Sequence, residues 1–179
     1  MSIWVFLGVI LLITFFIATG VIVFYIMFNG ILTVPWVRTS KDRARKMLEL
    51  ADLHPGETII DLGCGDGSVC FVAANEFKAK AIGVERLRLL VWLAKISNRI
   101  KKTENAVDIK REDLFSTDLS KADVLAVYLF REFNKRLEPR IKGLCKPGAR
   151  VVSRTFSFPN LRLIEQISYK NENYYLYQV

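Results

Sequence analysis

Hydrophobic and polar positions divide the chain into two regimes. Residues 3–28, IWVFLGVILLITFFIATGVIVFYIMF, hold no charged residue and no proline. At ~1.5 Å rise per residue a helix over this run is roughly 39 Å long, enough to cross a ~30 Å hydrocarbon core with some tilt. Beyond Ser40 the apolar residues come in short periodic segments instead. Ala44, Met47, Leu48 and Ala51 recur at helical spacing and predict an amphipathic helix over 41–53, with Thr39 or Ser40 as its N-cap and Asp42 in its first turn. His54-Pro55-Gly56-Glu57 ends it, and the β-branched run at 58–60 opens a buried strand.

From there the pattern alternates. Helices are predicted over 68–77, 87–100 and 133–144, the second with Leu90, Leu93, Ala94 and Ile96 on its apolar face. Strands are predicted over 81–84, 107–109, 124–129 and 150–153, and the near-continuously apolar 124–129 belongs at the centre of a sheet. Such alternation builds βαβ units with a parallel sheet, an α/β architecture. Two strand-like runs, 161–169 and 174–179, then flank Lys170-Asn171-Glu172-Asn173 with no helix between them, which predicts a closing antiparallel hairpin. The domain organisation expected is a transmembrane anchor over 1–30, a connector over 31–40 and one globular domain over 41–179. No internal repeat interrupts it.

Charge orients the anchor. Nothing basic precedes the apolar run except the amino terminus, so the basic n-region of a cleaved signal peptide is missing. Arg38, Lys41, Arg43, Arg45 and Lys46 follow it, against only Asp42 and Glu49 as acids through residue 50. Excess Lys and Arg belong on the cytoplasmic side, so the globular part is expected to face the cytoplasm. All of the formal +8 lies beyond the apolar run, which suits anionic headgroups; no nucleic-acid module is recognisable. Three cysteines (Cys64, Cys70, Cys145) form no CxxC pair, so neither a disulfide framework nor a metal site is expected, and the lone His54 reads as a solvated turn residue.

The chemistry centres on IDLGCGDGS at 60–68. Aligned on Gly63 and Gly65, the third glycine of a dinucleotide fingerprint falls on Ser68, and the extra glycine comes one residue earlier at Gly67. No Gly-Lys-Ser/Thr of a phosphate loop is present. Asp61 before the glycines and Asp66 among them would repel a pyrophosphate, but they suit a ligand carrying an ammonium and a sulfonium. Glu85 closes the second strand, where an acid takes ribose hydroxyls. Asp113 follows the third strand, placed to accept from an adenine amino group, with Leu114 and Phe115 flanking the ring. The ligand that satisfies this set is S-adenosylmethionine.

With IIDLGCGDG, GVE and EDLF in this order, the chain resembles the class I, seven-stranded S-adenosylmethionine-dependent methyltransferases. PWVRTS, the KMLELA helix, VYLFREFNKRLEPRI and KPGARVVSRTF further resemble the small archaeal and the membrane-anchored mitochondrial protein-lysine methyltransferases, over roughly 34–179. The resemblance implies a Rossmann-like fold and methyl transfer to a lysine ε-amine of a protein substrate. It also implies cofactor contacts from Asp61, Gly63, Gly65, Glu85 and Asp113, with Trp36 and Thr39 covering the site. Relatives tend to carry Val-Pro-Thr where this chain has Val37-Arg38-Thr39. Acceptor-pocket candidates are Tyr128, Phe130 and Glu132 after the fourth strand, and Ser153 and Arg154 at the fifth; no general base stands out. Tyr128-Leu129-Phe130-Arg131 is not the Asn/Asp-Pro-Pro-Tyr/Phe of enzymes that methylate amides or adenine amines. Two other readings remain: methylation of a lipid or lipophilic small molecule, and a non-catalytic scaffold that binds the cofactor.

Overall fold

A computed structural model describes the backbone of residues 3–32 and 37–179 and the side chains of 3–25 and 37–179. The chain divides into two compact units, Met1–Trp36 and Val37–Val179. The first contains helix α1 (Ile3–Leu32), whose segment Ile3–Tyr25 has a mean hydropathy of 2.8 and is long and apolar enough to cross a membrane.

The second unit contains a seven-stranded sheet. Its strands are β1 (Thr58–Leu62), β2 (Lys80–Glu85), β3 (Val107–Arg111), β4 (Val124–Val127), β5 (Arg150–Arg154), β6 (Arg162–Tyr169) and β7 (Glu172–Gln178). Helices α2 (Lys41–Leu50), α3 (Ser68–Glu76), α4 (Arg88–Ile100) and α5 (Arg131–Leu144) complete it. The strand order is β3-β2-β1-β4-β5-β7-β6. Strands β1 to β5 are parallel, and β7 runs antiparallel between β5 and β6. Order reverses between β1 and β4, which creates the switch point where open α/β sheets bind ligands at the carboxyl ends of their strands.

The local reasons follow the sequence. Every residue of β4 is buried, as expected for a strand covered on both faces. In α2, Ala44, Met47, Leu48 and Leu50 face the core, and α2, α3 and α4 share that core with β1, β2 and β3. The hairpin turn places Lys170 and Asn171 at φ of 50° and 62°, a left-handed conformation that asparagine tolerates better than most residues.

Several boundaries differ from expectation. The first amphipathic helix stops at Leu50, because Ala51 and Asp52 turn out of it and the Leu53 N–H caps Leu48. Strand β4 ends at Val127 rather than 129, and α5 begins at Arg131 rather than 133, since Phe130 is already its N-cap. Helix α4 buries Leu90, Val91, Ala94 and Asn98, while Leu93 is 37% exposed and Ile96 is half-buried, so neither Leu93 nor Ile96 belongs to its core face. The stripe is rotated because the Asn98 side chain donates to the Val107 carbonyl at 2.9 Å and accepts from the Thr103 hydroxyl, anchoring that polar residue inside.

Candidate active site

The carboxyl edge of the sheet gathers the predicted donor residues. Asp61 is the penultimate residue of β1, level with Gly83 of β2 and Ala126 of β4. It is only 7% exposed, and among the described residues its carboxylate meets one weak donor, the Cys70 thiol at 3.9 Å. Burial first, then the charges of Glu85 and Asp66, push its carboxyl from 3.8 up to about 7. A buried acid without a cation is expensive to ionise, and among the described residues only the weak Cys70 contact works against that cost.

The loop after Asp61 bends tightly. Gly63 and Gly67 stand at φ of 84° and 81°, and a Cβ on Gly67 would lie 2.9 Å from the Phe71 ring, so only glycine fits there without strain. The N–H groups of Gly63 and Cys64 both donate to the Val84 carbonyl, at 2.8 and 2.9 Å, which pins the loop to the end of β2. Asp66 closes it: the Ser68 N–H and hydroxyl donate to one carboxylate oxygen, and the Arg38 Nε lies 2.8 Å from the other. Arg38 thus ties the connector to the glycine loop.

Glu85 does more than was expected of it. One oxygen accepts from the Gly65 N–H at 3.2 Å and the other from Arg86 and Leu87 N–H at 2.7 and 2.8 Å. It therefore couples the loops after β1 and β2 and keeps acceptor capacity for a ligand hydroxyl. Asp113 is exposed and caps its own turn, accepting from the Phe115 N–H at 2.9 Å. Leu114 is half-buried beside it, and the Phe115 ring stacks on Phe133 under the Arg136 guanidinium. Trp36 lies outside the described residues.

Beyond β4 and β5 the acceptor-side candidates separate. Arg154, 2% exposed, makes a bidentate pair with Glu172 at 2.6 and 2.8 Å, reaches the Thr39 hydroxyl at 3.1 Å and lies 4.1 Å over the Tyr128 ring. Burial works against its charge, but Glu172 outweighs burial and holds the guanidinium firmly protonated. Thr39 is therefore engaged with β5 and β7 through Arg154. Tyr128 is half-buried, and its hydroxyl has no hydrogen-bond partner among the described residues. Phe130 is 42% exposed and packs edge-on against Phe156. Glu132 sits exposed in the first turn of α5, paired with Lys135. Ser153 is fully buried; its hydroxyl donates to the Phe156 carbonyl at 2.6 Å and fixes the loop after β5. The Arg154–Glu172–Thr39–Tyr128 assembly escaped sequence reasoning, because no local signal links residues 115 positions apart.

The donor set fits a cationic ligand. A buried carboxylate lacks a cation, a backbone cradle is open only to glycine, and acids follow β1, β2 and β3 in turn. That site on this strand order defines a class I S-adenosylmethionine-dependent methyltransferase. The ANTKMT methyltransferase domain family matches residues 61–165. A protein-lysine N-methyltransferase of Saccharolobus islandicus (strain REY15A) is 34% identical over 153 residues, 82% of this chain and 94% of that protein. The chain therefore belongs to the ANTKMT methyltransferase family. The adenine nucleotide translocase lysine N-methyltransferase of Mus musculus is 28% identical over 148 residues, 83% of this chain, and this chain spans 64% of that protein's length. Among solved structures, an RNA methyltransferase from Salinibacter ruber in complex with S-adenosyl-L-homocysteine aligns with a TM-score of 0.77 at 30% identity, over 79% of this chain and 93% of that one.

Proposed function

We propose that this protein is a membrane-anchored protein-lysine methyltransferase, with residues 1–30 as anchor, 31–40 as connector and 41–179 as a catalytic domain facing the cytoplasm. The observation that carries the reading is Asp61, buried with no cation beside it among the described residues, in a chain similar to the Saccharolobus islandicus and Mus musculus proteins named as lysine N-methyltransferases. S-adenosylmethionine supplies a methyl on positively charged sulfur, which departs as a neutral thioether when the acceptor nitrogen takes the methyl.

The chain's own residues do the rest. Asp61 holds the ligand's ammonium, and the glycine turn at Gly63 and Gly65 admits its backbone-sized part. Glu85 takes the ribose hydroxyls, Asp113 the adenine amine, and Leu114 one face of the ring, with Trp36 and Thr39 of the connector covering the site. Tyr128 and Phe130 flank the acceptor, Glu132 stands at the mouth, and Ser153 holds the loop behind them. A lysine must arrive as the neutral amine. Partial desolvation between Tyr128 and Phe130 lowers its pKa, so alignment and exclusion of water suffice without a strong base. An anchor restricts the search to lysines near the bilayer, which favours membrane proteins and their partners as substrates.

RNA is the second reading, supported by the name of the Salinibacter ruber relative and the net charge of +8. Incubating the full chain with methyl-labelled S-adenosylmethionine and membranes, then separating protein, organic extract and RNA, decides among them. The proposal expects label in protein, on lysine by mass spectrometry. Label in RNA or in the organic extract overturns the lysine assignment, and cofactor binding without any transfer revives the scaffold. Equal methylation of the same cellular proteins by a chain lacking residues 1–30 removes the anchor from substrate choice.

A further inference from the structure

Helix α4 carries three stripes where a helix on a sheet needs two. Leu90, Val91, Ala94 and Asn98 face the core. A second stripe, Leu89, Trp92, Leu93, Ile96 and Ile100, recurs at helical spacing on the outside; Leu89 is 66%, Trp92 59% and Ile100 76% exposed. Arg88, Lys95 and Arg99, spaced i, i+7 and i+11, fall between the two stripes when the helix is viewed down its axis at 3.6 residues per turn. From Arg86 to Lys102 there are six cations and no acid. None of the six is in an ion pair among the described residues.

This combination is costly for a surface that meets only water. Scattered exposed apolar residues are ordinary, but a contiguous stripe containing a tryptophan marks an interaction site. An apolar face bordered by unpaired Lys and Arg has the chemistry of a helix lying in the boundary between anionic headgroups and acyl chains, with long basic side chains reaching up to the phosphates. The same chain begins with a segment apolar enough to span a bilayer, so such a surface is close at hand. Helix α4 begins at Arg88, three residues after Glu85, so docking this face also keeps the loop after β2 close to the membrane plane.

We propose that the outer face of α4 docks onto the anionic bilayer surface as a second membrane attachment, which orients the active site toward substrates at that surface. The proposal rests on the anchored reading above for proximity, and its test separates the two. Cys64, Cys70 and Cys145 are all buried, so a cysteine introduced at Ile100 (Ile100→Cys) takes a nitroxide label selectively in the full-length protein. The protein is reconstituted in bilayers with and without anionic lipid. Accessibility to oxygen, which concentrates in acyl chains, is compared with accessibility to a water-soluble nickel chelate.

In anionic bilayers the Ile100 label should become oxygen-accessible and lose nickel accessibility severalfold. A label at exposed Glu165 of β6, on the opposite edge of the sheet, should stay open to nickel. Each well-placed cation shifts docking roughly fivefold. Arg88→Glu/Lys95→Glu/Arg99→Glu should therefore return the Ile100 label to water, with cofactor affinity kept as the check on folding. Equal nickel accessibility in anionic and neutral bilayers overturns the proposal. So does protection that appears only when an acceptor protein is added, which would make this a protein-docking face. A label at Phe16→Cys in α1 reports the anchor independently: exposure there would remove the anchored reading while leaving the result at Ile100 to stand on its own.

Discussion

The two ends of strand β1 present the same functional group in opposite circumstances. At the amino edge of the sheet, Glu57 pairs with Arg150, and Asp123 pairs with Lys146 while accepting the Thr58 N–H at 2.8 Å. Burial pushes both carboxyls up. The hydrogen bonds and charges of Arg150 and Lys146, with backbone donors, outweigh it and leave both below their ordinary values. At the carboxyl edge, Asp61 is buried deeper and meets two more acids instead of a cation, so its carboxyl rises to about 7. The two acids at the amino edge come with their cations; Asp61, buried without one among the described residues, has the environment expected of an acid that binds a cationic ligand.

The largest expected effect breaks this comparison at the carboxyl edge. Replacing Asp61 by Ala should weaken S-adenosylmethionine binding roughly 10–100-fold, the worth of a hydrogen bond to a charged group. Unchanged affinity in a calorimetric titration would mean that the ligand lies elsewhere. Stability should move the other way. The folded state holds the Asp61 proton more tightly than the unfolded chain, so the stability it contributes falls as pH rises from the ordinary value of 3.8 to about 7. Asp61→Asn should therefore raise the melting temperature of the cofactor-free protein above neutral pH, with the gain shrinking as pH drops.

The amino edge supplies the mirror experiment. Asp123→Ala strands the Thr58 N–H and should cost about 1–3 kcal/mol in thermal or denaturant unfolding while cofactor affinity stays the same. A loss of affinity instead would erase the distinction between the edges. Smaller again is Gly67→Ala, where the left-handed conformation costs an ordinary residue about 1–2 kcal/mol and the Cβ meets Phe71. It should lower stability and weaken cofactor binding together. Arg38 is 73% exposed, so its pair with Asp66 is a surface ion pair worth about 0–1 kcal/mol. Arg38→Ala should accordingly alter cofactor affinity by less than about fivefold.

Much of this was legible in the sequence, because its signals are local. Helix and strand periods gave the five parallel strands in order, Lys170-Asn171 marked the hairpin, and the glycine spacing with Asp61 and Asp66 pointed to S-adenosylmethionine, the cofactor of the family the chain belongs to. What stayed hidden depends on pairing across the fold. That β7 inserts between β5 and β6 is a matter of register, to which the run 174–179 has no local clue. Arg154 and Ser153 looked alike as residues at the end of a strand. Packing gives one a bidentate partner on β7 and commits the other to a loop carbonyl. On α4 the periodicity predicted an apolar face of Leu90, Leu93, Ala94 and Ile96, of which only Leu90 and Ala94 face the core. Asn98, bonded to the Val107 carbonyl, decided that and left Leu89, Trp92 and Ile100 outside.

The central claim, that Asp61 is kept unpaired for a cationic cofactor, has a direct signature in proton linkage. If the bound ligand supplies the missing charge, binding must drive the carboxyl to ionise. Titration calorimetry of S-adenosylmethionine into the full-length protein, repeated at about pH 6 in buffers of different ionisation enthalpy, counts the protons exchanged. The account predicts release approaching one proton and affinity that falls as pH drops below about 7, both absent in Asp61→Asn. Binding that neither releases a proton nor weakens toward acid pH, alike in the wild-type and Asn proteins, would contradict it.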